Sequence, residues 1–496
     1  MMNLSRIIEG WATQRGDHVA LHFEGADWSY ARLWARIEEA TRALAGDGVA
    51  RGERVAFLGA NQPDLIALLM ALARLGAILV PLNWRLTAAE HRTLIADCAP
   101  RLVVCDSEHA GAAEALGVPV RVLGERWPHA AARAGGMPSP VSGCDADDVL
   151  IVYTSGTTGR PKGAVLTQSA LLWNGYNGIH AHDLSQADHV LTVLPMFHVG
   201  GLNNQTLPAL LAGATVTLHR RFEPGAWLAE VARRRPSISL LVPATMQAVI
   251  AHPHWASTDL SSLRLMNTGS MIVPEALIRA FHARGVPVGQ IYGATETAPI
   301  AVVLLREDAM ARVGSTGKPA LHCEARVVAD DVGTEAAPGE VGEIWVRGPN
   351  VMRGYWNDPA ATREAMHEGW FRTGDLAHRD AEGYFRVVGR SKDLIISGGE
   401  NVYPAELEAV LAECPAIAEQ AVIGIDDARW GEAACACVVR RPGAALDEAA
   451  VLALFQGRLA RFKHPRRVAF LDALPKNALG KVRKAELRRM LERDAR

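Results

Sequence analysis

No CxxC pair occurs among the seven cysteines, scattered at Cys98, Cys105, Cys144, Cys323, Cys414, Cys435 and Cys437, and no group of histidines has zinc spacing. That excludes a structural zinc module. An excess of charge of one sign is also missing. The 52 Lys and Arg stand against 54 Asp and Glu, a formal net charge of −2, so nothing global calls for nucleic acid or an anionic membrane as partner. Nor is there a long unbroken apolar run. The most apolar stretch, residues 65–84, is interrupted by Arg74, Gly76 and Pro81, which a membrane span would not tolerate well. It reads as a core helix over 65–75 feeding a buried strand over 77–81. The first residues, Met1-Met2-Asn3-Leu4-Ser5-Arg6, lack the apolar region of a signal peptide, so a reduced, cytoplasmic setting is expected. Internal repeats are absent as well.

What remains is an ordinary globular composition, 49% hydrophobic and 21% charged over 496 residues. That is too long for one core and enough for two or three domains. Apolar runs at 54–58, 101–105, 190–194, 215–218 and 240–242 read as buried strands, with helices over 30–46 and 224–235 between them. This alternation predicts an α/β fold, a large N-terminal domain of layered sheets covered by helices. From about Gly314, short alternating segments at 325–328, 342–347 and 384–388 come with Gly and Pro turns and predict an antiparallel, β-barrel-like part. A charged joint follows, Gly389-Arg390-Ser391-Lys392-Asp393. Beyond it the pattern reads helix 404–413, strands 420–425 and 433–439, helix 447–459 and strand 467–471, enough for a small α+β domain. The expected division is 1–390 and 391–496.

The densest local signal is Tyr153-Thr154-Ser155-Gly156-Thr157-Thr158-Gly159-Arg160-Pro161-Lys162-Gly163, directly after the apolar run Val149-Leu150-Ile151-Val152. Three glycines, four hydroxyl residues and two cations fall within eleven positions. Glycines let backbone N–H groups converge on one point, and hydroxyls and cations add donors there, the chemistry of a triphosphate cradle. A plain surface turn rarely needs so many donors. It is not a Walker A loop: counting from Gly156, Pro161 stands at the second glycine and Gly163 at the Ser/Thr. The segment resembles the phosphate loop of the adenylate-forming superfamily of acyl-CoA synthetases, peptide-synthetase adenylation domains and firefly luciferase.

Further motifs follow in family order over most of the chain. In Leu194-Pro195-Met196-Phe197-His198-Val199-Gly200-Gly201-Leu202 a lone histidine on an apolar segment is by itself more often a core residue. The resemblance makes His198, Val199 and Gly200 one wall of an acyl pocket, with Gly293 and Ala298 on the opposite motif. Thr268-Gly269-Ser270-Met271 stands where relatives usually carry Gly-Gly-Ala-Pro beside the adenine; Met271 and Ile272 depart from that pattern. In Gln290-Ile291-Tyr292-Gly293-Ala294-Thr295-Glu296 the resemblance implies Tyr292 stacked on adenine, Thr295 on the α-phosphate and Glu296 on Mg²⁺, an ion that takes one or two carboxylates plus phosphate oxygens. Asp375, after the turn glycine of Trp370-Phe371-Arg372-Thr373-Gly374, suits two vicinal hydroxyls, the logic of ribose recognition, and Arg390 matches the second ribose ligand. Lys392 stands at the hinge of a mobile C-terminal lid. Gly399, in Ser397-Gly398-Gly399-Glu400, would shape the pantetheine tunnel, and Lys481, closing Pro475-Lys476-Asn477-Ala478-Leu479-Gly480, would be the adenylation lysine.

The implied reaction is ATP-dependent activation of a carboxylic acid with pyrophosphate release, then thioester formation with coenzyme A and release of AMP. Basic residues gathered between Arg458 and Arg489 read either as solvated helix faces or as attraction for polyanionic coenzyme A. No Arg or Lys in the pocket motifs awaits a second carboxylate, which favours an apolar monocarboxylate, with a medium- or long-chain fatty acid expected first. Aromatic acids of the hydroxycinnamate or benzoate type, o-succinylbenzoate, and a stand-alone adenylation protein loading a carrier protein are the alternatives. A luciferase-like oxygenase would share the loops and differ in its pocket. A non-catalytic nucleotide binder should lack Glu296 or Lys481. A homodimer is left open, and no integral membrane segment is expected.

Overall fold

A computed structural model describes residues 3–124, 127–128, 141–154, 161–397, 400–427, 430–477 and 480–494. Ser155, Gly156, Thr157, Thr158, Gly159 and Gly399 therefore lie outside the described residues.

Two large sheets form the N-terminal part. One has seven strands, with Arg54–Leu58, Ile78–Leu82, Leu102–Cys105 and Asp148–Thr154 running parallel at its centre. Ile78–Leu82 and Leu102–Cys105 are buried at every position, the unbroken apolar pattern of strands covered on both faces. The other sheet has nine strands and contains His189–Thr192, Ile238–Leu240, Leu265–Gly269 and Val288–Tyr292 in adjacent parallel order. Helix Pro63–Leu75 is buried at every residue except Asp64. One apolar cluster joins it and helix Tyr30–Gly46 to strands of both sheets, so it is apolar all round because it packs between layers. Gly76 in the left-handed region ends it.

The antiparallel part is a five-stranded sheet built on Glu324–Val328, Val341–Arg347 and the long strand Trp370–Arg379, with Phe385–Arg390 pairing along the last. A fourth sheet uses only residues from Ile395 onward: Ile395–Ser397, Glu400–Val402, Ile417–Asp427, Gly431–Arg440 and Arg467–Phe470. It makes the core of the smaller C-terminal domain with helix Pro404–Ala412.

Three expectations change in detail. The strand at 240–242 is Ile238–Leu240, because Val242 already caps a helix begun by Pro243. Helix 447–459 shortens to Glu448–Ala453, with Asp447 as its N-cap accepting from the Ala450 N–H at 2.8 Å. Beyond it Gly457 takes a positive φ and the chain turns. Helix Lys484–Asp494 is an addition to the expected elements; Leu487 and Leu491, four apart on one face, bury against the C-terminal sheet. No described helix is long and apolar enough to cross a membrane.

Candidate functional site

Parallel strands of the nine-stranded sheet deliver three of the motifs. His189–Thr192 leads to the His198 corner, Leu265–Gly269 to Ser270, and Val288–Tyr292 to Gly293 and the short helix Thr295–Thr297. All three emerge at carboxyl ends of strands, where open α/β sheets bind ligands. The phosphate-loop segment comes from the other sheet. Its flanks are antiparallel, with Thr154 paired to Lys162 across the hairpin, so both stand at the base of the turn.

Lys162 reaches toward Tyr355, its Nζ 5.1 Å from the ring centroid. The Tyr355 hydroxyl donates to Glu296 Oε1 at 2.7 Å, and burial with the nearby Glu296 charge holds the phenol protonated far above its usual range. The backbone also ties this region to the motif: Met352 N–H donates to the Glu296 carbonyl at 2.7 Å, and Asn350 Nδ2 donates to the carbonyls of Thr297 and Ile300. Sequence reasoning missed residues 350–355 entirely, although Gly354-Tyr355-Trp356 is an aromatic pair after a glycine that could have been singled out.

Asp375 and Arg390 face each other across paired strands. Arg390 Nε lies 2.6 Å from Asp375 Oδ1, and the Tyr292 hydroxyl donates to Asp375 Oδ2 at 2.9 Å. The neighbouring carboxylate raises the Arg390 pKa, while burial and Asp375 push that of Tyr292 well up. Asp375 thus joins the two other residues assigned to the nucleoside.

Lys481 belongs to the same neighbourhood. Burial, reinforced by Arg390, lowers its pKa to about 8, with Asp375 and Asp393 opposing. In its loop Gly480 N–H donates to the Asn477 carbonyl and Lys481 N–H to Asn477 Oδ1, both at 2.9 Å. Glu419 anchors the turn from the C-terminal sheet through Lys476 Nζ at 2.7 Å and Leu474 N–H at 3.2 Å. A Cβ at Gly480 would stand 3.1 Å from Cβ of Ala244, so this loop rests on the N-terminal domain. Lys392 sits in the turn Ser391–Asp393 between the two parts, its pKa lowered by partial burial and by Arg390.

The His198 corner is held by Asn61, another residue the sequence did not single out. Its Nδ2 donates to the carbonyls of Leu194 and His219, and its Oδ1 accepts from Met196 N–H at 2.8 Å. Burial and Arg85 bring the His198 imidazole down to about 4, so it is neutral at physiological pH. Gly201 is enclosed, since a Cβ there would meet the Pro195 carbonyl oxygen at 2.3 Å. Gly200 faces open space, with nothing within 4 Å of an added Cβ. Val199 is buried, 7% exposed.

Gly293 is required by packing, since a Cβ would stand 1.5 Å from the Pro299 carbonyl oxygen. Ser270 and Ala298 are both in the left-handed region, at φ +71° and +68°, where non-glycine residues are uncommon and cluster at functional sites. Ser270 is exposed beside Ile272. Ala298 has no accessible surface and packs in the main apolar cluster. A surface depression of about 570 Å³, lined by Trp11, Ile179, Leu184 and Gln186 among others, contains none of these residues.

Residues 8–356 match the AMP-binding enzyme family and residues 406–481 the AMP-binding enzyme C-terminal domain. The chain belongs to the AMP-binding enzyme family. It is an AMP-forming acid–thiol ligase. It is 49% identical to indoleacetate–CoA ligase of Aromatoleum aromaticum over 504 residues, covering 99% of each chain. Identity to a feruloyl-CoA synthase of Amycolatopsis is 43% over 471 residues, 95% of each. Long-chain-fatty-acid–CoA ligase FadD13 of Mycobacterium tuberculosis is 36% identical over 468 residues, 93% of this chain and 92% of that protein. ATP-bound MatB of Rhodopseudomonas palustris superposes with a TM-score of 0.91 at 33% identity, covering 100% of both chains. The apo form of the same protein gives 0.79.

Proposed function

We propose that the chain joins an aryl-substituted carboxylic acid to coenzyme A through an acyl-adenylate. The observation that carries the reading is the convergence of Lys481, from the C-terminal domain, with Asp375, Arg390 and Tyr292 of the N-terminal domain. It supports a cation from the smaller domain acting beside the pair proposed for ribose, and the better superposition on an ATP-bound relative than on its apo form supports the same arrangement.

In the first half-reaction a carboxylate oxygen of the acid attacks the α-phosphorus of ATP, and the bond to pyrophosphate breaks. Two anions must be brought together, so donors aimed at the developing charge supply the rate. Thr154, Thr295, Lys162 and the residues 155–159 would hold the phosphates, and Lys481 would bridge the carboxylate and α-phosphate oxygens. Glu296 fits Mg²⁺: Tyr355 occupies one of its oxygens with a hydrogen bond and orients the other. When bound there, Mg²⁺ would neutralise charge on the phosphate oxygens. His198, neutral and half-buried, would pack against the acyl group without adding charge.

In the second half-reaction the coenzyme A thiol attacks the acyl carbon, the bond to AMP breaks and the thiol proton leaves to solvent. The proposed route is rotation of residues 391–496 about Lys392, which withdraws Lys481 and brings Gly399 to the tunnel. Exposed Phe462, and Arg466 lying 4.4 Å over the Trp430 ring, give the smaller domain an aromatic and cationic face suited to the nucleotide end of coenzyme A.

Aryl acids replace the fatty acid expected first. Higher identity to the indoleacetate and feruloyl enzymes than to the fatty-acid ligase supports this, as does the open space beside Gly200 next to a buried, enclosed floor. The test is a competition: the purified protein, ATP, Mg²⁺ and coenzyme A with an equimolar pool of indole-3-acetate, ferulate, benzoate, o-succinylbenzoate and C6–C18 fatty acids. Mass spectrometry should find an aryl-CoA thioester dominating; a dominant fatty acyl-CoA contradicts the substrate class, and acyl-AMP without thioester contradicts coenzyme A as acceptor.

A further inference from the structure

Immediately past the His198 corner the chain makes a π-helical turn, Leu202–Thr206, in which every residue is buried. Such turns are rare and recur at functional sites. Asn203 on this turn has no accessible surface, and neither its Oδ1 nor its Nδ2 has a hydrogen-bond partner among the described residues. Gln205 Nε2 on the same turn and Asn177 Nδ2 on the neighbouring helix are unpaired too. Asn174, on the same helix as Asn177, has partners for both of its polar atoms. Asn174 donates from Nδ2 to the Asn203 carbonyl at 2.7 Å and accepts at Oδ1 from Ile300 N–H at 3.0 Å. His182 lies between Asn204 and Asn267, at 2.8 Å from the Asn204 carbonyl and 2.8 Å from Asn267 Nδ2. Asn174 therefore locks Asn203 between the His198 corner and the segment that follows Glu296, the two walls assigned to the acyl group.

A buried amide with both polar atoms unpaired is costly, and such groups call for an explanation. A fatty acyl chain could supply no partner. We infer that Asn203 is a specificity-determining residue that hydrogen-bonds a polar group on the ring of the acid, its Oδ1 accepting from an indole N–H or a phenolic O–H. This rests on the aryl-acid reading and narrows it to acids whose ring carries a hydrogen-bond donor. A site built for such a donor rejects the analogue lacking it more strongly than an apolar pocket rejects a change of size.

The experiment swaps one atom of the substrate. Wild-type adenylation is measured by pyrophosphate release with indole-3-acetate and with 1-benzothiophene-3-acetate, in which sulfur replaces the N–H. The expected preference for the indole in kcat/KM is about 10- to 100-fold. In Asn203→Leu, of similar size, the preference should collapse toward unity while benzothiophene turnover is retained; Asn203→Ala serves if the leucine variant does not fold. A purely structural role for Asn203 would lower both acids equally and leave their ratio intact, and that result overturns the inference. So does a wild type that takes both acids equally, which still leaves the aryl-acid reading standing. A wild type that adenylates neither aryl acid but accepts fatty acids overturns both.

Discussion

At the scale of single residues, Lys481 makes the sharpest prediction. Removing one preorganised donor costs roughly 10²–10³-fold in rate, so Lys481→Ala should lose at least ~10²-fold in acid-dependent pyrophosphate release. The pH dependence follows from its pKa of about 8. In its proposed role the ammonium is the active form, and it is present below that value. Adenylation kcat/KM of the wild type should therefore fall as pH rises through about 8, and Lys481→Arg should move that fall to higher pH because a guanidinium keeps its proton. No break attributable to His198 is expected between pH 5 and 7, since burial keeps that ring neutral there. Tyr355→Phe removes the hydrogen bond to Glu296. A bond to a charged group contributes about 1.5–3 kcal/mol, so kcat/KM for ATP should drop by roughly 10-fold or more, read from initial rates at fixed Mg²⁺. Tyr292, Asp375, Arg390 and Lys481 were legible because each sits in a short linear pattern. Tyr355 and Asn61 were not, because each acts on a group 59 or 135 positions away. Asn203 was invisible for another reason: its distinguishing property is an absence of partners, which only packing reveals.

At the scale of elements, the parallel strands were readable as unbroken apolar runs, and their order in the sheet was not. That order is what brings the ends of His189–Thr192, Leu265–Gly269 and Val288–Tyr292 to one edge. Gly293 shows how tightly such an end is built. An alanine Cβ there would stand 1.5 Å from the Pro299 carbonyl oxygen, so Gly293→Ala must displace residues 293–299. Thermal unfolding should show a lower Tm, and adenylation should be lost with all acids alike; unchanged Tm and activity would mean that this turn yields without cost. The hinge is a second element-scale claim. Lys392→Pro fixes φ and removes a backbone donor, and should impair thioester formation more than adenylation. Equal loss in both half-reactions, measured separately by pyrophosphate release and acyl-CoA yield, would remove Lys392 as the hinge. The C-terminal helix Lys484–Asp494 was missed because its charged residues mask a short apolar stripe of Leu487 and Leu491.

At the scale of the whole molecule, the two parts have separate cores and meet at the proposed site. The N-terminal domain supplies the strand-end motifs and the residues proposed to contact the nucleoside. The smaller domain supplies a lysine whose turn leans on Ala244. Neither half alone assembles the cluster of Lys481, Arg390, Asp375 and Tyr292. Residues 1–390 produced alone should accordingly bind ATP, detected by calorimetry, yet show adenylation reduced by at least ~10²-fold, matching Lys481→Ala. The most direct test of the central claim is pyrophosphate release by the full chain with ATP, Mg²⁺ and indole-3-acetate, with and without coenzyme A. The account predicts release that depends on the acid, accelerates with coenzyme A and ends in indoleacetyl-CoA and AMP. Release that is indifferent to aryl acids, or that responds only to fatty acids, would contradict it.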